Sequence, residues 1–189
     1  SSVNTVEWIY NFSDGIGTSS YQNPTYIYSE PGVYDVTLNV VSNNGCKDSI
    51  IKDVIVHNLP IVDFTIENHC EGEGNIFTDL SSVINGEIES IQYNFNNGSV
   101  SSDSIVNHVF DGYGLFNVDL NAISTQGCES TISKMTEVFA NPEVEFTVLG
   151  LCEGEQTNFN DFSFVANTNI STWNWTLDFE SFSSNKNTS

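Results

Sequence analysis

The chain is patterned for short strands. Tyr34, Val36, Leu38 and Val40 alternate with Val33, Asp35, Thr37 and Asn39, a two-residue repeat that puts one set on each face of an extended strand. Asn43-Asn44-Gly45 closes that strand as a turn, since Asn and Gly tolerate the positive φ a tight turn demands, and a second strand is predicted from Ile50 to Val56. Aromatic residues keep the same spacing. Trp8, Tyr10 and Phe12 lie two apart, as do Ile91, Tyr93 and Phe95, and again Trp173, Trp175 and Leu177, so each trio shares a face and is predicted to be core.

The pattern also repeats. The stretch from Asn58, NLPIVDFTIENHCEGEGNIFTDLSSV, returns from Ala140 as ANPEVEFTVLGLCEGEQTNFNDFSFV, placing Pro60 on Pro142, Phe64 on Phe146, Cys70 on Cys152 and Phe77 on Phe159, an offset of 82. GVYDVTLNVVSNNGCKDSIIKD from Gly32 returns from Gly114 as GLFNVDLNAISTQGCESTISKMT at the same offset. Trp8 to Phe12 matches Ile91 to Phe95 at 83, so one residue is lost in the following loop. The expected organisation is the back part of one module over 1–59, a complete module over 60–141 and the front part of a third over 142–189, a piece of a longer array. Within the complete module strands are predicted at 61–67, 75–80, 88–95, about 103–110 as one strand or two, 115–124 and 129–138, enough for two packed antiparallel sheets.

Tyr10-Asn11-Phe12-Ser13-Asp14-Gly15 resembles the Trp-Asp-Phe-Gly-Asp-Gly signature of PKD (polycystic kidney disease) domains. Pro24, Tyr26-Ile27-Tyr28 and the strand Gly32 to Val40 follow in the family's order, and Tyr93-Asn94-Phe95-Asn96-Asn97-Gly98, His108-Val109-Phe110 and Gly114 to Leu120 repeat it. In the third copy, Trp175-Thr176-Leu177-Asp178-Phe179-Glu180, the signature has almost dissolved. The resemblance implies an all-β fold of tandem immunoglobulin-like (PKD-like) antiparallel β-sandwiches without enzymatic activity of their own. In such sandwiches the Tyr after the Gly pins a corner through its hydroxyl, available at Tyr34 but not at Phe116. The Cys-x-Gly and Gly-Cys pairs, with a Pro near each junction, look like the variant found in long secreted surface proteins of Bacteroidetes.

Composition agrees with strands: Val, Ile, Thr, Phe, Tyr, Ser and Asn dominate, and strong helix formers are scarce. Charge narrows the partners. Among 189 residues, 25 Asp and Glu face 4 Lys and no Arg, for a formal charge of −21, so no basic stripe exists to meet nucleic-acid phosphates or an anionic membrane. No stretch approaches the apolar length needed to span a bilayer, and Ser1 to Thr5 has neither the basic nor the apolar region of a secretory leader. An aromatic content of 12% is too rich for a disordered acidic tail.

Catalysis has little to build on, because His57, His69 and His108 fall in separate neighbourhoods. A zinc site from His69 and Cys70 is discarded, since the matching pair is Leu151-Cys152. Regular placement of Cys46, Cys70, Cys128 and Cys152 argues for disulfides and an oxidising compartment. Three pairings stay open: Cys70 with a cysteine beyond residue 189; Cys46 with Cys70 and Cys128 with Cys152; or Cys70 with Cys128. The turns Glu71-Gly72-Glu73 and Glu153-Gly154-Glu155 each set two carboxylates two residues apart, a pattern that suits Ca²⁺ if further oxygens complete six or more, and is otherwise a solvated acidic turn. No cofactor is required beyond that candidate ion. Asp48-Ser49-Ile50 and Asp103-Ser104-Ile105 resemble the short O-glycosylation pattern of Bacteroidetes, making Ser49 and Ser104 candidate acceptors.

The expected function is a non-catalytic structural or adhesive segment of a secreted bacterial surface protein. Its partners would be neighbouring modules of the same chain and surface polysaccharide or other cell-surface proteins. An accessory carbohydrate- or protein-binding module of a secreted hydrolase is the alternative.

Overall fold

The computed structural model describes residues 5–177 and 180–186. Asp178 and Phe179 of the third signature lie outside them. The protein is all-β and antiparallel, with no helix among the described residues. It packs as two compact units, one holding the chain up to Val62 with Ser81–Ile91 and Asn121–Thr131, the other holding Asp63–Leu80, Gln92–Leu120 and the chain from Ile132 on.

In the first unit β1 (Thr5–Asn11), β2 (Thr18–Ser19), β3 (Gly32–Ser42) and β4 (Lys47–Val56) form a sheet in the order β2-β1-β3-β4. The predicted hairpin is present, β3 pairing β4 from Gly32↔Val56 to Val41↔Lys47. Its turn is closed by the Ser42 and Gly45 amides, which donate to Cys46 O (2.8 Å) and Ser42 O (2.9 Å), with Gly45 at φ 79°.

Next come β5 (Phe64–Glu67), β6 (Asn75–Asp79), β7 (Ile88–Asn94), β8 (Val100–Ser101), β9 (Ile105–His108), β10 (Gly114–Ser124) and β11 (Glu129–Val138). They make two sheets, β5-β6-β9 and β11-β10-β7-β8. That is the immunoglobulin strand order, with the first, second and fifth strands in one layer and the third, sixth and seventh in the other, joined by the short extra edge strand β8. The strand expected at about 103–110 is the single short β9, and β8 lies just before that stretch. Between the layers Phe64 and Phe77 meet Tyr93 at 5.6 and 6.1 Å between ring centroids, and Phe77 also meets Phe95 and Phe110 at 5.3 and 6.3 Å. Phe77 and Tyr93 are fully buried, as are Val118, Leu120 and Ala122 along one face of β10.

The chain ends in two hairpins, β12 (Phe146–Leu149) with β13 (Asn158–Asp161), and β14 (Trp175–Leu177) with β15 (Glu180–Ser183). Sequence repetition reappears in geometry. The bounds of β3 and β4 shift by 82 onto those of β10 and β11, and β5 shifts by 82 onto β12. The triangle of Phe64, Phe77 and Tyr93 returns as Phe146, Phe159 and Trp175, with ring-plane angles of 53°, 85° and 54° in the first against 46°, 84° and 53° in the second. The expectation that each aromatic trio is core holds fully for Phe12, Tyr93 and Phe95, whereas Trp8, Tyr10, Trp173 and Trp175 are only half-buried.

Candidate functional site

The signature loop is the most organised polar feature. Ser13 sits in the left-handed region (φ 58°) and Gly15 follows at φ 90°, so the chain reverses at once after β1. Asn11 Oδ1 accepts the Ser13 amide at 2.9 Å, and Asp14 Oδ1 accepts the amides of Ile16 (3.2 Å) and Gly17 (2.6 Å). The other Asp14 oxygen accepts the Tyr26 hydroxyl, whose ring stacks on Phe12 at 4.0 Å. That hydroxyl and the Gly17 amide hold the Asp14 carboxyl below its ordinary range, and the same bond pushes Tyr26 up to about 12.

The second copy builds this loop from different chemistry. Asn96 takes the left-handed position (φ 57°), Asn94 Oδ1 accepts its amide at 2.9 Å, and Asn97 Oδ1 accepts the Ser99 amide at 3.0 Å. His108 replaces Tyr26, stacked on Phe95 at 3.9 Å with Nε2 3.1 Å from the Asn97 amide nitrogen. Burial holds the His108 pKa below its ordinary value, against the opposing pull of Asp111. The charged Asp–Tyr pair of the first copy is thus a neutral Asn–His pair in the second. Each loop also ties itself to the neighbouring long strand, Ser13 Oγ donating to Asp35 O (2.8 Å) and Asn96 Nδ2 to Asn117 O (3.2 Å), which makes it a fold-locking device.

Tyr34 pins its corner as expected, its hydroxyl donating to Glu30 O at 2.9 Å. Phe116 keeps only the ring contact, 4.4 Å from Phe110, against 4.1 Å between Tyr34 and Tyr28. Sequence reasoning missed two further ties. Lys134 on β11 pairs with Asp63 and donates to Phe64 O, clamping the last strand to the first and drawing the Asp63 pKa down. Buried Asn75 donates to Thr136 Oγ1 (2.8 Å) and Glu137 O (3.0 Å). Partners 61 to 71 residues apart leave no local signal.

The four cysteines are unbridged thiols, so none of the pairings within the chain is made in this structure. Each lies at a turn: Ser42 and Ser124 hydroxyls accept the amides of Cys46 and Cys128, while Cys70 O and Cys152 O accept those of Glu73 and Glu155. Glu73 faces His69 at 3.7 Å and accepts the Cys70 amide at 3.4 Å; the Glu71 backbone is tied to Phe139 and Asn141. Among the described residues no three His, Cys, Asp or Glu side chains gather to hold a metal ion. His57 is exposed on the first unit. Ser49 on β4 and Ser104 before β9 are both exposed. Among the described residues no helix is long and apolar enough to cross a membrane.

The family profile of the PKD domain matches residues 1–56. A pre-pro-metalloprotease, PrtV, of Vibrio cholerae is 25% identical over 131 residues, 69% of this chain. The chain spans 14% of that relative's length. The PKD1 domain of Vibrio anguillarum Epp is similar at 22% identity and a TM-score of 0.42, covering 45% of this chain and 99% of that one. The fibronectin(III)-like modules of Clostridium thermocellum CbhA reach 0.41 at 18% identity, covering 75% of this chain and 80% of theirs.

Proposed function

We propose that the chain is a run of immunoglobulin-like modules, with boundaries near residues 59 and 141, that forms a non-catalytic structural and adhesive stretch of a long bacterial cell-surface protein. One observation supports this above the others. The ring framework Phe12, Tyr26, Tyr28 and Tyr34 recurs as Phe95, His108, Phe110 and Phe116, with closest stacks of 4.0 and 3.9 Å, so these rings pack on one another in both copies and not in a solvent-facing row. The work of such a segment is mechanical, carried by the long hairpins β3–β4 and β10–β11. Its charge of −21 keeps neighbouring copies apart at low salt. Partners in this reading are adjoining modules, surface polysaccharide and other cell-surface proteins, outside the cell. The Cys-x-Gly and Gly-Cys pairs favour a Bacteroidetes source.

Limited proteolysis tests the reading. Cuts near 59 and 141 that release a resistant fragment unfolding in one cooperative step are expected; cleavage spread through 60–141, or hydrolysis of casein or a polysaccharide by the chain itself, would overturn it. The match within a metalloprotease favours a second reading, an accessory binding module of a secreted hydrolase. Retention on an insoluble glycan, lost on replacing Trp8 or Trp173, would establish that instead.

A further inference from the structure

Asn-Gly pairs stand at 44–45, 85–86 and 97–98. An Asn before Gly can close a cyclic imide, since no Cβ hinders the Gly amide nitrogen from reaching the Asn side-chain carbonyl carbon. The fold treats the three pairs differently. The Gly45 amide is spent on its turn, donating to Ser42 O at 2.9 Å. Gly86 is crowded, because a Cβ placed there would meet Gln126 Oε1 at 3.0 Å and Val83 Cγ1 at 3.3 Å. Gly98, at φ 92°, has nothing within 4 Å on that side, and its amide makes no hydrogen bond among the described residues. Asn97, Gly98 and Ser99 are all exposed, so water reaches the pair.

At Asn97 the side-chain amide is also held by groups that assist its replacement. Oδ1 accepts the Ser99 amide at 3.0 Å, where a donor steadies the oxyanion that forms when Cγ is attacked. Nδ2 lies 3.1 Å from His108 Nε2, inside the reach of about 2.6–3.2 Å at which a general acid serves a leaving group. The His108 ring is fixed there by its stack on Phe95. We propose that Asn97 is a site of self-catalysed deamidation, in which the Gly98 nitrogen bonds to Asn97 Cγ and Nδ2 leaves as ammonia with a proton delivered through His108 Nε2. Gly98 N releases its own proton to water, His108 regains one from water, and a water molecule then opens the imide to leave aspartate or isoaspartate at position 97. The loop accepts the aspartate product, because the aligned residue of the first copy is Asp14, whose carboxylate accepts amides of the same turn. Conversion sets a carboxylate beside His108, on which Asp111 is otherwise the charge acting, and so turns a neutral pair into an ionic one. The reaction is independent of what the segment binds.

Incubating the 189-residue chain near neutral pH and mapping its peptides by mass spectrometry follows each Asn-Gly pair through its mass gain and isoaspartate content. Asn97 should convert several-fold sooner than Asn44 and Asn85, and in urea, where the loop is gone, that order should vanish. His108→Phe keeps a ring over Phe95 and removes the acid, so it should slow Asn97 several-fold and leave the other two unchanged. Earlier conversion of Asn44 or Asn85 in the folded chain overturns the proposal, as does the same order in urea. An unchanged Asn97 rate in a His108→Phe chain that keeps its strand circular dichroism overturns it too. Where the variant loses that signal, the order in the folded wild-type chain against the order in urea decides.

Discussion

The repeated aromatic triangle makes a paired prediction possible, because one side chain occurs in two states of burial. Phe77 is fully buried and touches four rings; Phe159, its counterpart, is half-buried and touches Phe146 and Trp175. Truncating a buried Phe to Ala costs about 3–5 kcal/mol, the lost transfer energy plus the cavity left behind. A domain of 80-odd residues has a total stability of about 4–12 kcal/mol, so Phe77→Ala removes a large fraction of it and lowers the Tm by about 15–30 °C. Phe159→Ala removes roughly half the buried area and leaves no closed cavity, so about 1–2 kcal/mol is expected. All three Trp lie outside 60–141, at positions 8, 173 and 175, so fluorescence would not report on the Phe77 site. Urea unfolding followed by peptide-resolved hydrogen exchange reads each stretch separately. Equal losses for the two variants, or a loss below about 1 kcal/mol at Phe77, would refute the argument that burial by β5–β6 sets the difference.

Tyr93 has a buried hydroxyl without a hydrogen-bond partner, so Tyr93→Phe should raise stability, by about 1 kcal/mol in urea titration, where an ordinary Tyr→Phe change costs stability. Tyr34→Phe should cost about 1 kcal/mol through the lost bond to Glu30 O, with Phe116→Leu as a ring-contact control. The paired loops predict different pH windows by nuclear magnetic resonance titration. His108 is held below its ordinary 6.5, so unfolding takes up a proton and the second copy's stability, complete above pH 6.5, declines as pH falls. Asp14 is lowered from 3.8 and Tyr26 raised to about 12, so the first loop's contribution is present between those limits, lost as pH falls through the Asp14 value and as it rises from 10 toward about 12. Glu73 is engaged with its own turn and with His69, so adding EDTA should leave the Tm unchanged; a fall would mean that the Glu71/Glu73 or Glu153/Glu155 turns hold calcium.

Strand positions were legible in the sequence because alternation is a backbone rule: in an extended chain Tyr34, Val36 and Leu38 must share a face whatever lies opposite. Hairpin turns were legible for a similar local reason, Gly45 and Gly127 taking the positive φ (79° and 80°) that side chains resist. The corner bond of Tyr34 could be expected too, since it spans only four residues. The candidate site was less legible. The replacement of the acidic Asp14 by Asn97 is plain in the sequence, but Asp14 with Tyr26, and Asn97 with His108, meet only because a loop returns over the Phe12 or Phe95 ring, and no local signal pairs them.

The sequence by itself determined the all-β class, the period of 82 and which residues face inward, since all three follow from local backbone geometry repeated along the chain. Only the tertiary structure decided which inward faces are covered. Leu38 and Leu120 carry the same pattern on the same strand of the repeat, yet one is half-exposed and the other fully buried. Burial belongs to the element packed opposite, here the hairpin β5–β6, and no property of the strand itself can supply it.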